Sequence, residues 1–160
     1  MPWHDAPLAP CQTLADVVVG LLVPKVRRSL PPAWRGPYGH DRARAWIVER
    51  DAEGAVLMVT EVAAKVPAGL VILGEEAAVD GPSTVDVRVG YLLAPACWGR
   101  GLATELIGGL VAWCRRQGQI RALTGGVARD NPASARVLTN NGFALIDTTA
   151  DGEQIHQLVL

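Results

Sequence analysis

Val85, Val87, Val89 and Tyr91 alternate with Asp86, Arg88 and Gly90, the period of two that a strand requires. Leu92, Leu93, Ala94 and Pro95 close the run. After Trp98-Gly99-Arg100-Gly101 the period changes, and Leu102, Ala103, Leu106, Ile107, Leu110, Val111 and Cys114 form one face of a helix that Gly118 ends,. Ile120 to Val127 reads as the next strand, and the strand, helix, strand order predicts a right-handed parallel crossover with the glycine turn at the carboxyl end of the sheet.

The same reading extends to both ends of the chain. Met1 to Pro10 reads as a frayed end or short edge strand,. Thr13 is placed to cap a helix to about Val23, stopped by Pro24, and Asp41 to cap a second helix to about Arg50. Between them Ser29 to Gly39 is a proline- and glycine-rich loop,. Ala55 to Val62 and Ala68 to Leu73 read as antiparallel strands, and Glu75 to Thr84 as an acidic connection,. Asn131-Pro132 caps and opens a helix that stops at Gly142, which puts a second helix N-terminus near the first. Phe143 to Thr148 and Gln154 to Leu160 are the last strands.

The glycine turn carries the chemistry. A helix that opens there points unpaired N–H groups and the positive end of its dipole into one small space, which suits a phosphate or pyrophosphate. Gly99 and Gly101 let the backbone approach an anion closely, and Arg100 adds charge,.

Composition narrows the class. The chain has 160 residues, 49% of them hydrophobic, and a formal net charge of -1, which predicts a single domain over 1–160 and no general pull towards nucleic acid or membrane. Its apolar runs are too short for a bilayer, and Met1 to Pro10 lacks the pattern of a secretory signal, so the expected location is cytoplasmic. Cys11, Cys97 and Cys114 have neither disulfide nor zinc spacing, and His4, His40 and His156 are as scattered, so no metal is expected,. Cys97 stands beside the helix start, where a thiol ionises more easily.

Gly90-Tyr91-Leu92-Leu93-Ala94-Pro95, Trp98-Gly99-Arg100-Gly101-Leu102-Ala103-Thr104-Glu105, and Asn131-Pro132-Ala133-Ser134 with Gly142-Phe143 together resemble the GNAT superfamily of acyl-CoA-dependent N-acetyltransferases. The nearest branch is that of the ribosomal-protein N-terminal acetyltransferases. The resemblance covers about Val56 to Phe143 well and the first fifty residues in element order only. It implies a mixed α/β fold with a central mixed sheet of about six or seven strands and about four helices. The family loop begins with Gln or Arg, and Trp98 stands there in this chain.

The resemblance also implies roles. The backbone of Trp98, Gly99, Arg100, Gly101, Leu102 and Ala103 would hold the pyrophosphate of acetyl-CoA, with help from the Arg100 side chain. Leu92, Leu93 and Ala94 would pair with the pantetheine arm where the neighbouring parallel strand splays away, the Leu93 N–H facing the thioester oxygen. Asn131 would contact the same arm. Many members protonate the leaving thiolate with a tyrosine, but Leu138 stands at that position, which leaves Ser134 or solvent,. Where the branch often has a glutamate this chain has Arg88. Asp86 and Arg88 either neutralise each other or serve the reaction, Asp86 taking a proton through water and Arg88 binding an acidic group of the acceptor.

The resemblance implies a small-molecule or peptide amine as the acceptor. Lys25, Arg27, Arg28, Arg35, Arg42, Arg44 and Arg50 outnumber Asp41 and Glu49. If they face the cleft they favour a carboxylate-bearing acceptor, with Trp34, Tyr38 and Trp46 as its apolar wall. Gly108-Gly109 inside a helix predicts close packing, within the chain or across a homodimer. A Rossmann site lacks its third glycine at Thr104 and a P-loop lacks its Gly-Lys-Ser or Gly-Lys-Thr. A nucleic-acid-binding module is the least favoured reading, because the basic segment is local and the whole chain is slightly acidic,. The rival reading is a non-catalytic acyl-CoA-binding module of the same fold.

Overall fold

In the computed structural model, which describes residues 1–62, 64–77 and 84–160, Thr13 builds a capping box for helix α1 (Leu14–Leu21),. Its side chain accepts the Asp16 N–H at 3.2 Å, and its own N–H donates to the Asp16 carboxylate at 2.7 Å. The Thr13 hydroxyl, the Thr13 N–H and His40 together hold the Asp16 carboxyl down to about 2. Pro24, expected only as a stop, occupies the first turn of a short helix α2 (Pro24–Arg27), where a proline loses no helical hydrogen bond. Helix α3 (His40–Glu53) is capped by Gly39, and Asp41 sits in its first turn, where a negative charge complements the dipole.

Strands β1 (Ala55–Glu61), β2 (Val66–Ala77) and β3 (Val85–Leu93) follow. Glu75 and Glu76, expected in a connection, still belong to β2, and the rest of that connection at 78–83 lies outside the described residues. Then come α4 (Leu102–Cys114), β4 (Ile120–Val127), α5 (Pro132–Asn140), β5 (Ala144–Thr148) and β6 (Gln154–Val159). The fold is mixed α/β, with six strands in the order β1-β2-β3-β4-β6-β5. β3 and β4 are parallel, as the crossover required, while β1–β2, β4–β6 and β5–β6 are antiparallel.

The chain forms two compact units, Met1–Leu73 with Tyr91–Cys97 and Gly74–Gly90 with Trp98–Leu160. In the first, α1 and α3 bury Val18, Leu21 and Trp46 in one apolar cluster with Met58, Leu70 and Leu92. The N-terminal segment is not frayed. Met58 N–H donates to Met1 O at 2.8 Å, and buried Trp3 donates to Asp51 at 2.9 Å and meets Trp46 edge-on at 6.0 Å. In the second unit Ile107, Cys114, Leu123 and Leu138 are fully buried.

Candidate functional site

The glycine turn has the geometry its sequence demands. Gly99 and Gly101 adopt φ of 70° and 76°, the left-handed region that glycine tolerates and other residues resist. A β-carbon on either would meet no atom within 4 Å, so the turn borders open space. Gly101 caps α4 without any side-chain hydrogen bond. The first-turn N–H groups of a helix have no partner within it, so this end presents backbone donors and partial positive charge. Trp98 is half-exposed and Arg100 exposed, whereas Cys97 is 5% exposed, so its thiol is packed away from solvent.

Asn131 caps α5 by accepting the Ser134 N–H at 3.2 Å. The expectation of two neighbouring helix N-termini is corrected by Asn141, at the other end of α5. Its amide donates to Thr104 O in the first turn of α4 at 3.2 Å and to Val137 O at 2.9 Å. The start of α4 therefore meets the end of α5, and Asn131 stands ten residues away, about 15 Å of helix at 1.5 Å per residue. The oxygen of Asn141 lies 3.0 Å from where a Gly108 β-carbon would stand, so the close packing expected at Gly108 is made within the chain, while a β-carbon at Gly109 would meet open space.

Ser134 lies one helical turn before Leu138. Leu138 is fully buried, its side chain 3.0 Å from where a β-carbon of Gly125 would stand. That position is core, and carries no proton donor.

Asp86 and Arg88 do not neutralise each other. Asp86 is 7% exposed and accepts from Arg121, the residue that bulges β4 between the pairs Val85–Ile120 and Asp86–Ala122. Arg88 is exposed and lies 3.8 Å from Glu76. One carboxylate oxygen is thus engaged by a cation that no local pattern signals, while Oδ1 is buried without a hydrogen-bond partner. The β3–β4 ladder runs from Val85–Ile120 to Arg88–Thr124. Among the described residues it does not extend to Val89 and Gly90 on one strand or to Gly125–Val127 on the other.

In the first unit the end of β3 is set by β2. Gly69 faces Val59 and Pro67 faces Thr60, which leaves Ala68 as the extra residue of a bulge,. Ala68 O accepts the Ala94 N–H at 2.8 Å, and Ala94 O accepts the Cys97 N–H at 2.9 Å. A β-carbon on Gly69 would lie 2.2 Å from Leu92 O and 2.6 Å from the Leu93 side chain. Only glycine lets β2 approach this closely, a requirement no sequence pattern signalled.

The same unit holds an aromatic and cationic cluster. Trp34 and Tyr38 meet Trp46 edge-on at 5.5 and 6.4 Å. Arg50, 3% exposed, stacks 4.3 Å from the Trp34 ring and 5.4 Å from Trp46, and its Nη2 donates to Glu53 at 2.5 Å. Arg42 stacks on Tyr38 at 4.4 Å and donates to the carbonyls of Ala33, Arg35 and Pro37. Much of the expected basic bias is therefore spent fastening the 29–39 loop. Burial pushes the Tyr38 phenol up, against the pull of Arg42, Arg50 and Arg27. Arg27 Nε, Tyr38 Oη, Trp46 Nε1, Arg50 Nε and Arg50 Nη1 are buried without a hydrogen-bond partner. Each such group costs about 1–3 kcal/mol. Arg50 was legible only as one of several basic residues, although Arg42, Trp46 and Arg50 recur at a spacing of four along α3, which aligns them on one helix face.

Among the described residues no group of three or more His, Cys, Asp or Glu could hold a metal, and no helix is long and apolar enough to cross a membrane.

The profile of the family described as Acetyltransferase (GNAT) domain matches residues 12–144. No curated protein matches the chain. Among solved structures, it is similar to a GNAT-family acetyltransferase from Bacillus anthracis at 12% identity and a TM-score of 0.72, over 91% of this chain and 88% of that one. A ribosomal-protein-alanine N-acetyltransferase from Brucella melitensis matches at 17% identity and a TM-score of 0.68, over 93% and 97%. The yncA protein from Salmonella typhimurium, solved with its cofactor acetyl-CoA, matches at 25% identity and a TM-score of 0.58, over 78% and 75%. The family match, covering most of the chain and both helix N-termini described above, shows that this chain belongs to the GNAT acetyltransferase family.

Proposed function

We propose that the protein is an acetyl-CoA-dependent N-acetyltransferase that transfers an acetyl group to a primary amine by direct attack in a ternary complex. The carrying observation is the open glycine turn at the uncapped start of α4, inside the region matched to the family. Acetyl-CoA supplies the activated acyl group. The backbone of Trp98 to Ala103 holds its pyrophosphate, with Arg100 as a supporting charge. Leu92, Leu93 and Ala94 hold the pantetheine arm, and Asn131 contacts it beyond its capping role. In this reading the Leu93 N–H donates to the thioester oxygen as negative charge develops. Ser134 protonates the departing thiolate, and solvent takes the proton from the amine, since Asp86 is engaged by Arg121. Trp34 and Tyr38 line the acceptor side. Arg88, exposed beside Glu76, meets an acidic group only of an acceptor that extends along the surface. The whole of 1–160 acts as one domain in the cytoplasm.

A non-catalytic acyl-CoA-binding module is favoured by one observation, the apolar Leu138 packed where a proton donor is common. Release of free CoA from acetyl-CoA across polyamines, aminoglycosides, amino acids and peptides decides between them. A control without acceptor and a Cys97→Ala control separate transfer from hydrolysis or self-acylation. Turnover with one amine class is expected. Acetyl-CoA binding by calorimetry without turnover on any amine would select the binding module.

A further inference from the structure

The five unpartnered atoms in the first unit share one chemistry. Arg27 Nε, Trp46 Nε1, Arg50 Nε and Arg50 Nη1 can only donate hydrogen bonds, and Tyr38 Oη can donate as well,. Buried polar groups are ordinarily paired, and a collection made of donors calls for an acceptor that the chain does not provide. Glu53 and Glu49 do not provide it, because both approach Arg50 through Nη2. Two of the donors belong to a guanidinium, whose planar fork matches a carboxylate.

Placement adds to the chemistry. Trp46 lies in the buried cluster that contains Leu92, and Trp34, Tyr38 and Ala94 pack against that cluster. Trp46 and Tyr38, with Arg50 stacked on Trp46, thus lie on the same core as the end of β3. Trp34 and Tyr38 are carried by the loop between α2 and α3, whose Ala33, Arg35 and Pro37 carbonyls are held by Arg42.

We propose that Arg27, Tyr38, Trp46 and Arg50 form the subsite for a carboxylate of the acceptor, so that the amine acetylated belongs to a free amino acid or a close analogue. This rests on the transferase reading above and adds the substrate class. A carboxylate brings negative charge and acceptor oxygens to these buried donors. A carboxamide keeps one accepting oxygen but replaces the other by an N–H pair that faces donors, and brings no charge, so it is disfavoured.

The test uses the full chain with alanine, leucine, methionine, phenylalanine and glutamate, each against its own C-terminal amide, at saturating acetyl-CoA. Wild type is expected to favour at least one acid over its amide by about tenfold or more in kcat/KM. Tyr38→Phe keeps the ring and deletes one donor, Trp46→Phe deletes one donor but also shrinks a buried ring, and Arg50→Lys keeps the charge but loses the fork. In each the preference is expected to shrink through a raised KM, with melting temperature close to wild type in Tyr38→Phe and lowered in Trp46→Phe, and acetyl-CoA affinity close to wild type in both. Amides used as well as the acids, or an acid preference that both phenylalanine variants retain, would overturn the subsite. If no amine is acetylated, calorimetry of the same acids and amides separates the two claims. Binding of an acid but not its amide, weakened in Tyr38→Phe, would uphold the subsite while the transferase reading fails, and absence of acid binding would sink the subsite itself.

Discussion

The glycine turn before α4 and the arginine–tryptophan cluster of α3 both gather hydrogen-bond donors, but from different sources. The turn uses main-chain N–H groups presented by a helix start and by two residues at positive φ. The cluster uses side chains from α2, the 29–39 loop and α3, brought together by ring stacking and by Arg42 on three carbonyls. Backbone donors depend on local conformation, so a handful of consecutive residues specifies them. Side-chain donors depend on packing between distant segments, so their chemistry can change while the fold persists. Within one chain this is a division between a part suited to an invariant ligand and a part suited to a selected one.

The comparison can be broken in order of effect. Trp46→Ala removes the ring on which Trp3, Trp34 and Tyr38 converge. It is expected to cost about 4 kcal/mol in urea unfolding, and an intact stability would show that the cluster is not held by packing. Gly69→Ala drives a β-carbon into the Leu92 carbonyl and should cost about 3 kcal/mol. A wild-type denaturation midpoint would mean that β2 and β3 approach less closely than described. Gly101→Ala meets no neighbour, so it should lose only about 1 kcal/mol of stability through backbone strain. It is the converse of Trp46→Ala, since calorimetry should show acetyl-CoA bound about tenfold more weakly, a loss near 1.4 kcal/mol. Unchanged affinity would remove the turn from the binding site. Smallest is the pair in α4. Gly109→Ala should stabilise by about 0.8 kcal/mol in thermal melts, while Gly108→Ala should gain less because Asn141 is in the way. Equal gains would show that the contact gives way freely.

How much of this was legible follows the same division. The Val85 to Gly118 pattern placed β3, the turn and α4 because alternation, glycine and helical spacing are local signals. Asn131-Pro132 marked α5 for the same reason. Of the two readings of the N-terminal ten residues, the frayed end fails and the edge strand holds at the single bridge Pro2–Leu57, because burial of Trp3 against Trp46 is set by partners more than forty positions away,. Asp86 was paired with Arg88, since nothing local points to Arg121 across a bulge in the neighbouring strand. The relation of α5 to α4 was misjudged too, because one asparagine at a helix end decides which termini meet.

The sequence by itself therefore determined the order of elements, the parallel crossover and the glycine turn, all of which follow from periodicity and from the few residues that tolerate unusual backbone angles. Tertiary structure alone decided that Asp86 is bound by Arg121, that Leu138 is core, that Gly69 admits β3, and that Arg50 is buried among donors without an acceptor. The physical reason is range: backbone conformation is chosen by neighbours in the chain, whereas the fate of a charge or a ring is chosen by whatever the fold packs against it.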